Sequence, residues 1–313
     1  MIWLKQFCFS SGNCPICHEV IQYEAFVIVS PWIRERIKTK KKISLLGVCK
    51  SCYGATFSFR YDYKQMKLIY EFYRDDNYNA LRFKWEKWYG IEYQQGQLTK
   101  EYIEGRKKEI SEFLSIHLPV RICRIVDIGG GNGELIPDAL PGNCSAIQKY
   151  VLDISNVKTI NNVTKINSLD ETDRIDLAIY SHTIEHVPNP LVELENILQH
   201  TDHVYLETPY GIPKISFVNR SILLNILFTM FSLHPWLWRN MFTLSVGLKS
   251  KGRIIKQSEH INFFEVETIE KLANLLNCES YIKLSSVNNP LGEKHQVIQA
   301  LFSKKQLINN NIF

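Results

Sequence analysis

Short apolar runs alternate with stretches of helical periodicity from about residue 119 onward. Each run is brief and rich in Ile, Val, Leu and Tyr, which favours strands over helices. Five such runs come before a long insertion, at residues 121–128, 148–153, 163–166, 175–180 and 203–208. Strands that alternate with helices predict a parallel sheet with helices on its faces.

The periodic stretches predict the helices that cover this sheet. In the segment 190–198, Leu191, Leu194, Ile197 and Leu198 fall on one helical face, and Pro190 suits the first turn. A further helix is predicted at residues 266–276, and two late strands at 281–287 and 295–302. The fold class is therefore α/β, with a doubly wound, mostly parallel sheet of seven strands.

Composition divides the chain into three predicted units. Residues 1–62 contain two cysteine pairs and many aromatic residues, and they predict a small zinc-ribbon-like module. Residues 63–118 carry aromatic and charged side chains at helical spacing, which predicts a helical connector. Residues 119–313 predict the sheet domain, with an insertion at 210–257.

A glycine-rich turn follows the first predicted strand. The sequence reads Val126-Asp-Ile-Gly-Gly-Gly-Asn-Gly133 and comes before a helix-like segment. Glycines at such a turn let the backbone bend sharply and approach a ligand without a β-carbon in the way. The spacing satisfies neither the dinucleotide fingerprint G-x-G-x-x-G nor a phosphate-binding Walker loop. A tight connection without any ligand is the plainer interpretation.

The pattern D-x-G-x-G-x-G, formed by Asp127, Gly129, Gly131 and Gly133, resembles motif I of the class I S-adenosylmethionine-dependent methyltransferases. The resemblance covers about residues 105–304. It implies that this turn faces the amino-acid and ribose parts of S-adenosylmethionine. It also implies that Asp153, at the end of the second strand, accepts hydrogen bonds from the ribose hydroxyls.

A contact to the adenine ring is expected after the third strand. The sequence there reads Asn167-Ser-Leu-Asp170, and Ser168 or Asp170 is the candidate that the resemblance implies.

Two histidine-containing segments are predicted to meet beside the glycine turn. One follows the fourth strand and reads His182-Thr-Ile-Glu-His186-Val-Pro-Asn-Pro190. The other reads Glu259-His260-Ile-Asn-Phe-Phe264. Both resemble segments of a large methyltransferase subgroup, which places the second of them beside its substrate. That subgroup includes sugar C-methyltransferases that also carry an N-terminal four-cysteine module.

Three roles are open for these side chains. His260 or His186 can act as a general base, because imidazole is near half-protonated at neutral pH; the resemblance makes Glu259 and His260 the first candidate pair. Alternatively, Glu185, His186 and His260, with or without His182, ligate a divalent metal, as similar positions do in some O-methyltransferases. In the third interpretation, Glu185 and His186 cap the following helix and shape the pocket wall.

Four cysteines predict a metal site in the first unit. Cys14-Pro-Ile-Cys17 and Cys49-Lys-Ser-Cys52 form two C-x2-C pairs, whose four thiolates can complete a tetrahedral zinc site. Because all four ligands come from the protein, the zinc is expected to be structural. Cys8 and His18 are nearby substitutes, and the basic run 34–42 between the pairs predicts a solvated loop.

The remaining cysteines and the overall composition suit a protein of the cytoplasm. Cys123, Cys144 and Cys278 are predicted to be ordinary core residues, because disulfides are rare in a reducing compartment. The sequence shows no signal-peptide pattern and no apolar run long enough to span a membrane. The net charge of +5 on 313 residues is modest, so nucleic acid is not expected as the main partner.

An apolar segment at 221–238 lies within the insertion. Together with Lys249, Lys251, Arg253 and Lys256, it fits an interfacial helix near anionic lipid, or a lid over a lipid-linked acceptor. Such a segment more commonly forms a helix packed on the sheet or a contact between two copies of the chain.

The predicted function is methyl transfer from S-adenosylmethionine to a small-molecule acceptor. The resemblance implies a sugar or another precursor of a cell-surface polysaccharide as the acceptor. One alternative is an O-methyltransferase that acts on a quinone-like or lipid acceptor. The other is a non-catalytic zinc-ribbon binding protein with a Rossmann-like domain.

Overall fold

The computed structural model describes residues 10–73, 75–86, 99–118, 120–138, 140, 144, 147–240 and 255–305. The chain forms two β-sheets and a set of helices within these ranges. The helices are α1 (Pro31–Arg36), α2 (Tyr63–Tyr70), α3 (Asp76–Trp85), α4 (Lys100–His117), α5 (Pro190–His200), α6 (Phe217–Arg220), α7 (Ile222–Phe231) and α8 (Val266–Leu275), and Leu169–Glu171 is a 3-10 turn. In this part of the chain no helix is both long and apolar enough to cross a membrane.

The smaller sheet joins two distant parts of the sequence. Its strands are β1 (Ser10–Asn13), β2 (Val20–Val29), β3 (Ile43–Val48), β4 (Ala55–Phe57), β10 (Lys256–Gln257) and β11 (Asn262–Phe263). The order is β1-β2-β3-β4-β11, and β10 pairs in parallel with β2. The N-terminal cysteine segment therefore shares a sheet with the residues on either side of Glu259 and His260.

The larger sheet has the seven strands that the apolar runs predict. They are β5 (Arg124–Ile128), β6 (Gln148–Leu152), β7 (Val163–Ile166), β8 (Ile175–Ser181), β9 (Thr201–Pro209), β12 (Cys278–Asn288) and β13 (Lys294–Lys304). Their order is β12-β13-β9-β8-β5-β6-β7, with the first three antiparallel to one another and the rest parallel. The predicted α/β fold with a seven-stranded sheet is confirmed.

Successive side chains along each strand point to opposite faces of this sheet. On one side, Leu177 and Ile179 join a core that includes Ile110 and Leu114 of α4. On the other side, Ala178 and Tyr180 join a core that includes apolar residues of α5 and α8. Both faces of the sheet are thus covered, and its strand ends are left to form the loops in which ligands bind.

Two local predictions were wrong. The segment after the glycine turn is not a helix, because residues 131–138 form a series of turns that leads into Pro137. The basic run 34–42 is not all loop either: it begins in α1, whose Trp32 and Ile33 are fully buried, and Lys38 and Lys40 stand exposed after it.

Candidate active site and metal centre

The glycine turn lies at the carboxyl end of β5. Gly129, Gly131 and Gly133 all adopt positive φ, at 75°, 59° and 82°, which is a conformation that glycine adopts without a steric cost. A β-carbon on Gly129 would lie 2.4 Å from Oγ1 of Thr183, so this glycine allows close packing against the loop after β8. Around Gly131, in contrast, no atom of the other described residues, its two chain neighbours apart, lies within 4 Å of the corresponding β-carbon position. The backbone at Gly131 therefore faces open space that a ligand can approach.

Asp153, just after β6, holds the shape of this turn. Its carboxylate accepts hydrogen bonds from the backbone N–H of Gly131 at 2.8 Å and of Ser155 at 2.6 Å. An ionised carboxylate has about four acceptor positions. Two are therefore used by the protein, and the others are available to ribose hydroxyls.

Asp127 lies beneath the turn and is almost completely buried, at 2% exposure. Its Oδ2 has no hydrogen-bond partner among the described residues. Burial and, next, the nearby charge of Asp153 raise the pKa of Asp127 to about 7. A β-carbon on Gly130 would lie 2.1 Å from this carboxyl group, so the turn can close over Asp127 only with glycine at that position.

Ser168 follows β7, so it lies at the same carboxyl edge as the loops after β5 and β6. It caps the 3-10 turn: its hydroxyl donates to Oδ2 of Asp170 at 3.0 Å and accepts from the N–H of Asp170 at 3.2 Å. Both candidates for the adenine contact therefore belong to one small polar turn.

The two histidine-containing segments meet as the sequence predicts. Glu185, His186 and His260 each direct one possible ligand atom into a space where these atoms lie within 4.8 Å of one another. The rings of His186 and His260 are 4.7 Å apart between centroids and nearly perpendicular. The backbone carbonyl of Glu185 accepts hydrogen bonds from the N–H groups of Ile261 and Asn262, which fixes the two segments together.

His260 is held in its neutral form. Burial and the neighbouring His186 lower the pKa of His260 to about 4, so its ring is neutral at neutral pH. Tyr70 of α2 forms a hydrogen bond of 2.9 Å between its hydroxyl and Nδ1 of His186. The connector helix thus supplies a polar group to this cluster, which sequence patterns did not indicate.

The carboxylate of Glu259 is engaged elsewhere. It accepts a hydrogen bond from the hydroxyl of Tyr78 and pairs with Nη1 of Arg82 at 2.7 Å, and both groups belong to α3. Burial alone would favour the neutral acid, but the charge of Arg82 lowers the pKa of Glu259 to about 2. Glu259 therefore anchors the chain next to His260, while the imidazole faces His186.

His182 has a separate set of partners. Its backbone is left-handed, with φ of 50°, and its ring lies between two buried carboxylates, with Nδ1 3.4 Å from Glu185 and Nε2 3.0 Å from Glu207. Burial opposes its charge, but these carboxylates raise the pKa of His182 to about 9. Glu207 also pairs with Arg106 of α4. His182 is thus a cation that balances two buried carboxylates.

Cys14, Cys17, Cys49 and Cys52 form one buried cluster. Sγ of Cys14 lies 3.8 Å from Sγ of Cys52, and Sγ of Cys17 lies 3.6 Å from Sγ of Cys49. Thiolates at tetrahedral corners about 2.3 Å from a zinc ion are about 3.8 Å apart. The residue after each pair, His18 or Tyr53, has a positive φ near 60° and donates its N–H back to the first cysteine, so both pairs form the same knuckle.

The other cysteines match their predictions only in part. Cys8, a possible substitute ligand, lies outside the described residues, and His18 is not a member of the cluster. Cys278 is a buried free thiol, as predicted. Cys123 and Cys144 are not ordinary core residues, because a disulfide joins them. The apolar runs alone gave no sign that these two residues meet.

A family model and several solved structures match the chain. A family model described as "Methyltransferase domain" matches residues 95–281, which is more than half of the chain. No curated protein matches the chain. Several solved structures match the chain, at low sequence identity. Magnesium protoporphyrin IX methyltransferase from Synechocystis PCC 6803, with bound SAH, is 12% identical with a TM-score of 0.39, over 73% of this chain and 100% of that one.

A second solved structure is 1,6-didemethyltoxoflavin-N1-methyltransferase from Burkholderia thailandensis, with its substrate and S-adenosylhomocysteine. It is 12% identical, with a TM-score of 0.40, over 82% of this chain and 98% of that one. The plantazolicin methyltransferase BpumL, in complex with a desmethyl analogue and SAH, is 11% identical, with a TM-score of 0.41, over 77% and 97% of the two chains. At these values the functional argument rests on the family match and on the residues of this chain.

Proposed function

The chain belongs to the methyltransferase-domain family and is an S-adenosylmethionine-dependent methyltransferase, and we propose that it methylates a sugar or a related precursor of a cell-surface polysaccharide. The observation that carries the acceptor proposal is the shared small sheet. Strands β10 and β11 flank Glu259 and His260, and they pair with β2 and β4 of the cysteine segment. A four-cysteine module that takes part in building the acceptor side of the pocket fits the resemblance to sugar C-methyltransferases.

The cofactor site in this proposal is formed by the glycine turn and Asp153. Bound S-adenosylmethionine supplies a methyl group already activated on a sulfonium centre. Gly131 leaves open space beside the backbone, and Asp153 retains acceptor positions for the ribose. Asp127 is a buried carboxyl beneath the turn, where it supports Gly130 by close contact. Ser168 and Asp170 provide polar groups for the adenine end.

His260 is the proposed general base, with His186 beside it. Because the ring of His260 is neutral near pH 7, its lone pair can take the proton that the acceptor loses. The hydrogen bond from Tyr70 orients His186, and the pairing of Glu259 with Arg82 and Tyr78 positions the backbone that carries His260. Alignment of the acceptor atom and exclusion of water supply the remaining rate enhancement.

A second candidate has one specific observation in its favour. Glu185, His186 and His260 offer two imidazoles and one carboxylate within 4.8 Å, a donor set that suits a divalent metal. In that case the enzyme would be an O-methyltransferase acting on a quinone-like or lipid acceptor, with the metal binding the acceptor oxygen. Glu185 is already ionised, since His182 and His186 outweigh burial and lower its pKa to about 2.

We also propose that the four cysteines hold one structural zinc ion. The spacing of the sulfur atoms and the two matching knuckles support it. All four thiolates are buried and serve as ligands, which leaves no open coordination position for chemistry.

The acceptor proposal is tested by turnover. The purified chain is incubated with S-adenosylmethionine and a panel of nucleotide-linked sugars, catechols and quinols, and formation of S-adenosylhomocysteine is followed. We expect turnover with a nucleotide-linked sugar. Turnover confined to the phenolic acceptors, and dependent on added Mg²⁺, would replace the sugar proposal with the second candidate.

A further inference from the structure

Helix α7 presents an unusually apolar face to solvent. The exposed fractions are large along the helix and just beyond it: Ile222 57%, Leu223 79%, Ile226 51%, Met230 61%, Leu233 56% and Trp236 65%. No Asp, Glu, Lys or Arg lies between Ser221 and Trp238. We call this set of six side chains the apolar face. Contiguous patches of this kind on a protein surface mark sites that contact a partner or a membrane.

Helix α7 buries a polar side chain and exposes several large apolar ones, unlike an ordinary helix packed on a core. Asn225 is 2% exposed, and its amide donates to the backbone carbonyls of Val218 and Ser221. Leu224 and Phe228 pack against the core of the smaller sheet, while the side chains of the apolar face are exposed to solvent. A surface helix that faces only water has the opposite arrangement. The apolar face therefore indicates a non-aqueous environment on its outer side.

The sequence on either side of the apolar face has no acidic residue. No Asp or Glu occurs from Thr208 to Ser258, a stretch that carries seven Lys and Arg residues, of which Arg220 pairs with Glu24 and Lys256 with Glu86. Of these, Lys249, Lys251 and Arg253 lie outside the described residues. The guanidinium of Arg34 donates to the carbonyl and hydroxyl oxygens of Ser232, which joins the end of α7 to α1.

Helix α1 leads directly into a second basic group. Lys38, Lys40, Lys41 and Lys42 are all exposed, and no acidic residue occurs between Glu35 and Asp62. The contact between Arg34 and Ser232 therefore brings a lysine-rich turn to the same side of the molecule as the C-terminal end of the apolar face. Apolar side chains beside a group of lysines are complementary to the surface of an anionic bilayer, in which negatively charged headgroups lie above the acyl chains.

We propose that the apolar face docks on an anionic phospholipid surface, with its side chains among the acyl chains and the lysines of the α1–β3 turn at the headgroups. A second copy of the chain is a less favourable partner for the apolar face, because a two-fold contact there would bring the lysine groups of the two copies close together. The proposed contact is peripheral and is made through the apolar face. This inference does not depend on the acceptor that the enzyme uses.

The test is co-sedimentation of the full-length protein with vesicles of phosphatidylcholine alone or with about 30% phosphatidylglycerol. The double variant Leu223→Ser/Met230→Ser removes apolar area, and Lys40→Gln/Lys41→Gln/Lys42→Gln removes charge. A matched control, Leu284→Ser/Leu291→Ser, changes two exposed leucines on the β12–β13 hairpin. Circular dichroism confirms that each variant is folded.

We expect the wild-type chain to bind anionic vesicles at least about tenfold more tightly than neutral ones, and to bind less at high salt. Both test variants should weaken binding about tenfold or more, and the control should bind as the wild type does. Absence of binding to anionic vesicles, or binding that the apolar double variant retains, would overturn the proposal. So would a wild-type dimer in light scattering that Leu223→Ser/Met230→Ser converts to a monomer, because a second copy would then cover the face.

Discussion

The carboxylate of Asp153 accepts a hydrogen bond of 2.8 Å from the backbone N–H of Gly131. This contact joins the end of β6 to the turn after β5, so the loop has its shape before any ligand binds. Preorganisation of this kind lowers the entropic cost of ligand binding. The methyltransferase resemblance assigns these same two residues to the cofactor site. The shape of the loop and the contact to the ribose would therefore both depend on the carboxylate of Asp153.

Asp127 predicts a pH dependence of stability. Its pKa is raised from a value near 4 to about 7 by burial, so its favourable contribution is fully present below pH 4 and is lost as the pH rises through 7. Asp127→Asn removes this dependence. We expect the free energy of unfolding of the variant, relative to the wild type, to rise by about 2 kcal/mol between pH 5 and 8.

Chemical denaturation without ligand at these two pH values checks this prediction. Asp173→Asn is the matched control for the substitution itself, because that side chain is 83% exposed. A difference for Asp127→Asn that is constant across the range would show that the carboxyl group is ionised in the folded protein at low pH.

The zinc proposal predicts about one zinc ion per chain by elemental analysis of protein purified without chelators. Cys17→Ser and Cys49→Ser should each lose the metal and lower the melting temperature. Since β10 and β11 belong to the same sheet, these variants should also lose methyl transfer. Cys278→Ser changes another buried thiol and should keep its zinc. Metal-free wild-type protein that is folded and active would contradict the proposal.

The histidine cluster can be tested as a base or as a metal site. If His260 is the general base, His260→Asn should lower kcat by about a hundredfold or more, and added Mg²⁺ should not restore it. Brief chelation should leave the wild-type rate unchanged. His234→Asn, in an exposed histidine after α7, serves as control. Loss of wild-type activity on chelation, reversed by Mg²⁺, would favour the metal interpretation for Glu185, His186 and His260.

Glu259 is predicted to be a positioning residue. Glu259→Gln removes one of the two buried carboxylates that pair with Arg82, and Glu86 remains as the other, so we expect a loss of about 2 kcal/mol in the free energy of unfolding. The pH at which kcat falls should stay that of the wild type, because the proton acceptor is His260. Equilibrium unfolding and a pH–rate profile check the two parts. A displaced profile with unchanged stability would assign the proton transfer to Glu259 instead.

Local patterns predicted the sheet domain well. The third strand was placed at 163–166, as observed, and the run 203–208 lies within β9. Such elements follow from apolar periodicity alone. The structure also brings together the two histidine-containing segments, and likewise the four cysteines, as the sequence predicts. Both predictions rest on residue spacings that are typical of ligand sites or of the loops that form them.

Long-range pairing could not be predicted in this way. Nothing local indicates that β11 pairs with β4, or that Arg82 of the connector meets Glu259 across 177 positions of sequence. The disulfide between Cys123 and Cys144 was missed for the same reason. These contacts depend on how the units pack, whereas periodicity reports only on each segment by itself.

The central claim is that the glycine turn and Asp153 bind S-adenosylmethionine, and isothermal titration calorimetry tests it most directly. The wild-type chain should bind the cofactor at one saturable site, and Asp153→Ala should weaken binding by about tenfold or more while Asp173→Ala does not. No saturable binding to the folded wild-type protein, or equal affinity in Asp153→Ala, would contradict the account.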